Sequence, residues 1–133
     1  LTRPRRAVGR HGERGSAVVE AVLVLPLLVL VAAAVLQVAL AVHVRAALVA
    51  AAAEGARAAA LSGAPDGAAE RRVRSLVDGT LAGATVRDVA ARRSVVGGLP
   101  VIEVRIDARL PMLGLLGPAA LVVDGHALRE GWS

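Results

Sequence analysis

Between Glu20 and His43 the chain carries no charged side chain, and Gln37 is its one strongly polar residue. From Ala21 to Val42 every position belongs to an apolar-dominated run, and a helix of that length extends roughly 33 Å, about the thickness of a bilayer's hydrocarbon core. A helix satisfies its own backbone hydrogen bonds, whereas irregular chain in lipid leaves amides and carbonyls without partners at a high cost. The run therefore reads as a membrane helix within residues 16–44. Pro26 removes one backbone donor inside it and is expected to kink the axis.

Charge is placed unevenly around that run. Residues 1–15 hold Arg3, Arg5, Arg6, Arg10 and Arg14 against Glu13, and the rest of the chain holds 11 arginines against 10 acids, which together give the net charge of +5. The basic stretch reads as an unstructured cytoplasmic leader, because Arg, Gly and Pro give it nothing to pack. Five arginines before the helix against Arg45 soon after it predict an N-terminus in the cytoplasm and an extracytoplasmic C-terminal part. Without the leader the chain is close to neutral, and Trp132 is the lone aromatic among Phe, Tyr and Trp, so nucleic acid is not an expected partner.

Beyond the membrane the helical pattern continues through residues 45–61. Val44, Leu48, Ala51, Gly55, Ala58 and Ala59 fall on one side, and His43, Glu54 and Arg57 on the other. Small side chains on that face permit close approach of another element. That element is either a neighbouring helix or this chain's own outer domain, and both readings stand. Residues 62–133 read as a small α+β domain. Ser62-Gly63-Ala64-Pro65-Asp66-Gly67 breaks the first helix, with Asp66 the expected cap of a short second helix carrying Ala69, Val73, Leu76, Val77 and Leu81 on its buried face. Residues 84–93 form a weak strand candidate, and Gly97-Gly98 marks a turn. Ile102, Val104, Ile106, Ala108 and Leu110 alternate with Glu103, Arg105, Asp107 and Arg109, which predicts a strand with one buried and one wet face. A last strand over 120–128 places Leu121, Val123 and Ala127 together, giving an antiparallel sheet of about three strands. Between these strands, Met112, Leu113, Leu115 and Leu116 form an apolar connection. It serves either as a patch for a partner or the membrane surface, or as a cover over the sheet edge.

One junction adds a functional expectation. Gly15-Ser16 separates the arginines from the apolar run, and the single carboxylate Glu20 lies five positions after Gly15. This arrangement resembles the type IV prepilin signal. The R-G-S-A-V-V-E and V-L-P-L-L wording, with the later V-x-V-x-I strand, resembles the TadE-like family, the minor pseudopilins of tight-adherence (Tad/Flp) pilus systems. The resemblance implies processing between Gly15 and Ser16 by a prepilin peptidase, and an assembly role for Glu20 in pairing with the new N-terminal amine of a neighbouring subunit. It also implies membrane lipid, other pilin-like subunits and Tad assembly proteins as partners. A plainer role for Glu20 exists as well, since an acid in the first turns of a helix is favoured by the helix dipole.

Catalytic chemistry is not expected. His11, His43 and His126 have no spacing that gathers metal ligands, and no nucleophile elbow, phosphate-cradling glycine loop or zinc-protease signature occurs. With no cysteine in the chain, thiolate sites are excluded, and no cofactor is expected. The sequence admits two alternatives. One is an unprocessed bitopic anchor with an extracytoplasmic protein-binding domain. The other is a secreted domain cut after Ala32-Ala33-Ala34, which would release a terminus still beginning with an apolar run.

Overall fold

The computed structural model describes residues 12–110 and 119–131, with side chains described from Gly15 onward and excepting Ala84. The elements are α1 (Gly12–Ala60), α2 (Ala68–Val77), α3 (Leu81–Thr85), β1 (Val86–Val96), β2 (Leu99–Leu110) and β3 (Ala119–Leu128). The architecture is α+β, with a long N-terminal apolar helix, short helices and a three-stranded antiparallel sheet in the order β1-β2-β3. Helix α1 begins at Gly12, inside the stretch expected to lack structure, because extending a nucleated helix by a turn costs little.

The chain divides into a unit ending at Leu36 and a compact unit from Gln37 onward. Every residue from Gly15 to Leu36 is exposed. In the compact unit α1 acquires a buried stripe: Val44, Leu48, Ala51, Ala52, Ala56 and Ala60 are buried, with Leu40 and Ala47 packed at its margin. These positions recur at three- and four-residue intervals, the spacing that keeps one helical face inward. Across from them lie Val104, Ile106 and Val123 of the sheet and Val73 of α2. The core is wholly aliphatic, and its alanines let α1 come close. At Gly125 of β3 a Cβ would sit 2.4 Å from the Ala52 carbonyl carbon and 2.5 Å from the Ala53 nitrogen. Helix backbone lies directly on sheet backbone there, with no room for a side chain between them.

The hairpin between β1 and β2 turns on Gly97 and Gly98, whose φ angles of 60° and 82° suit a two-residue turn that follows the strand twist. From Val96 opposite Leu99 the register runs unbroken to Asp88 opposite Asp107, and a bulge follows before Val86. In β2, Ile102, Val104, Ile106 and Ala108 are buried, as their alternation predicts.

Three expectations need correction. Asp66 does not cap the second helix: its N-cap is Gly67, left-handed at φ 74°, with no side-chain cap bond. The Asp66 carbonyl oxygen instead accepts a bond from Arg71 Nη1 at 2.9 Å. Leu76 and Leu81 are not on the buried face. The second helix stops at Val77, Asp78 and Gly79 turn the chain, and Leu81 opens a separate helix, so the helical phase that aligned it with Val73 is lost. Glu103 lies on the wet face, where Arg105 and Arg109 are exposed, but is itself buried. The apolar connection of Met112, Leu113, Leu115 and Leu116 lies outside the described residues.

The contact at Gly125 yields a direct prediction. Gly125→Ala must push backbone away from backbone, so its cost belongs at the upper end of overpacking effects, about 3 kcal/mol. Denaturant unfolding of the compact unit, followed in detergent-solubilised full chain, measures it; an unchanged midpoint would contradict the contact.

Candidate functional site

Of the sequence-derived site residues, Gly15, Ser16, Glu20 and Pro26 lie along the exposed part of α1, whereas Met112, Leu113, Leu115 and Leu116 lie outside the described residues. Gly15 and Ser16 are helical and exposed, and a Cβ built on Gly15 meets no atom within 4 Å. Glu20 is also exposed, five residues further along the helix. At the usual rise that separation is about 7.5 Å along the axis. The helix continues through Pro26. The best apolar window of Gly15–Ala60 has a mean hydropathy of 2.8 and none of it is buried, and among the described residues it is the one helix long and apolar enough to cross a membrane. An apolar helix of a soluble core is covered by its own protein. This one is not.

A second arrangement, on the sheet face turned away from α1, was missed by the pattern of alternation. Glu103 on β2 stands between its cross-strand neighbours Arg92 on β1 and His126 on β3. Arg92 grips it with two bonds, from Nε to Oε2 at 3.0 Å and from Nη2 to Oε1 at 2.7 Å. Such a fork is the strongest geometry available to an arginine and a carboxylate. His126 Nε2 lies 3.9 Å from Oε2, and Arg105 Nε pairs loosely with Asp124 at 4.0 Å on the same face. The hydrogen bonds from Arg92 hold the Glu103 carboxyl below its ordinary range, overcoming the burial that pushes it up, with the charges of Arg92, His126 and Arg105 adding to the lowering. In return the Arg92 guanidinium is raised, chiefly by its bond to Glu103. A signal for this pair was present in the sequence. A two-residue turn at Gly97-Gly98 sets Arg92 directly opposite Glu103, but alternation alone assigns a face and not how well each position on it is shielded.

Little else gathers chemistry. No group of three or more His, Cys, Asp or Glu residues converges on a metal-sized site among the described residues. A groove of about 380 Å³ between the start of α2 and β1 is lined by Ala59, Pro65, Val89, Ala91, Arg93 and Ile102 among others. His43 and His126 lie on different elements, and His11 lies outside the described residues.

An uncovered apolar helix leading into a small α+β unit defines the class: a protein with, among the described residues, a single candidate membrane span. The family model described as TadE-like protein matches residues 15–57, from the junction glycine to the last turn of α1. The resemblance read from the sequence is thus borne out over the helix, and it connects the chain with a family associated with Tad pili. The sheet lies outside the match. No curated protein and no solved structure matches the chain.

The Arg92–Glu103 pair carries a pH signature. A carboxyl whose folded value is depressed contributes stability that is present above its unfolded value and lost as pH falls through the folded one. Glu103→Gln should therefore lower the thermal midpoint at neutral pH, and the gap from wild type should close as pH drops below about 4.3, the ordinary glutamate value. Circular dichroism melts across that range test it, and a gap constant with pH would contradict the pairing.

Proposed function

We propose that this chain is a pilin-like, single-pass membrane protein of a Tad/Flp pilus system, a minor pseudopilin processed between Gly15 and Ser16. The observation that carries the reading is that the family match begins at Gly15 and runs through a helix whose apolar part is uncovered. In this reading the helix holds the subunit in the cytoplasmic membrane, N-terminus inward, until assembly proteins draw on it. A prepilin peptidase meets the junction on the cytoplasmic side, where Gly15 offers no side-chain obstruction. Trimming creates a terminal amine at Ser16, and Glu20 of an adjacent copy supplies the counter-charge that sets the register between subunits. A carboxylate near the edge of the hydrocarbon layer is costly unless it is paired or wetted, which gives that amine its attraction. The action is structural, not catalytic, and needs no cofactor.

The alternative is an unprocessed bitopic anchor whose outer domain binds a protein partner. It draws on the sheet, which lies outside the family match and shares a core with the later part of α1.

N-terminal sequencing and intact mass of protein from cells with an active prepilin peptidase separate the two. The pilin-like reading predicts Ser16 as first residue, with Gly15→Ala reducing trimming and Glu20→Gln leaving insertion intact while weakening assembly. A mature chain that keeps its arginine leader overturns the processed reading and leaves the anchor.

A further inference from the structure

We propose that the end of the compact unit where α1 enters rests in the lipid headgroup layer through Leu81, the first residue of α3. This rests on the reading of α1 as a spanning helix. Leu81 is 62% exposed. It does not sit on a loose loop. Thr80 caps α3, its Oγ1 accepting from the Gly83 amide at 3.3 Å and donating to the Val77 carbonyl at 2.6 Å. Ala82, the next residue, is buried, and the buried Thr85 closes the turn with a 2.7 Å bond to the Ala82 carbonyl. The turn therefore holds Leu81 outward from both sides.

Its height along α1 identifies what it meets. Leu81 shares a surface recess with His43 and Ala47 of α1 and with Leu76, itself 39% exposed. The apolar run ends at Val42, so His43 to Ala47 lie about 1.5 to 7.5 Å beyond it along the axis. The headgroup layer on each side of a bilayer is about 5 to 8 Å thick, and Leu81 falls within it. Arg45, exposed at the same height, is placed to reach lipid phosphates, as arginines at such boundaries do. The buried stripe of α1 begins at Val44, and Leu40, still inside the apolar run, is packed against the core. The exposed valines at the hairpin tip, Val95 and Val96, lie at the opposite end of the sheet, level with the last turn of α1, where Arg129 and Glu130 follow β3. They serve as an internal control.

The chain has no cysteine, so Leu81→Cys, Leu76→Cys, Val95→Cys and Leu30→Cys each give a single site for a fluorescent label. The full chain is reconstituted in phosphatidylcholine–phosphatidylglycerol vesicles containing lipids with a nitroxide near the headgroup or in mid-chain. The expected result is loss of fluorescence at positions 81 and 76 with the shallow quencher, loss at 30 with the deep one, and none at 95. Quenching at 30 without quenching at 81 overturns the docking and leaves the span standing. Absence of quenching at 30 overturns the span and the docking together. Loss at 81 that follows the protein-to-lipid ratio instead of the quencher content means a second copy covers Leu81, and also overturns the inference.

Discussion

Backbone-to-backbone contact between α1 and β3 is the constraint on which the compact unit depends. A sheet of three strands with no aromatic side chain has little apolar bulk to spend, and the largest fully buried groups are Leu48, Ile106, Val44, Val73 and Val104. Such a core gains density by bringing its layers together instead of filling space between them. The run of alanines on one face of α1 and the bare position at Gly125 make that approach possible. The aliphatic chemistry that suits α1 to lipid is continued, in smaller side chains, by its buried stripe, and there it suits a thin core.

One helix thus serves two solvents. From Gly15 to Leu36 every residue is exposed; from Val44 a stripe is covered by the sheet. The change needs no shift in composition, since alanine, valine and leucine dominate on both sides of it. What changes is the partner. Arg45, Glu54 and Arg57 then appear on the uncovered side, as an aqueous surface requires.

Much of this was legible in the sequence because it follows from periodicity. The uncharged run gave the long helix, the alternation of Ile102 to Leu110 gave the central strand, and Gly97-Gly98 gave the turn between strands. What escaped depends on where elements stop and on neighbours from other strands. Periodicity carries Leu81 into the core only if the helix runs past Val77, where it ends, and the N-cap that the composition places at Asp66 is Gly67. Glu103 was assigned to water by its place in the alternation, yet a fork of hydrogen bonds from the adjacent strand encloses it. The junction residues Gly15, Ser16 and Glu20 were legible as a motif, and the structure adds that they lie on one exposed helical segment.

The central claim is that the apolar part of α1 is covered by lipid while its later part is covered by the sheet. Amide hydrogen exchange of the full chain in bilayer nanodiscs, resolved by peptide, measures both coverings at once. The account predicts that amides from Val22 to Val42 stay protected for as long as those from Val44 to Ala60, while the connection over residues 62–67 exchanges quickly. Exchange of residues 22–42 as fast as that connection would contradict it.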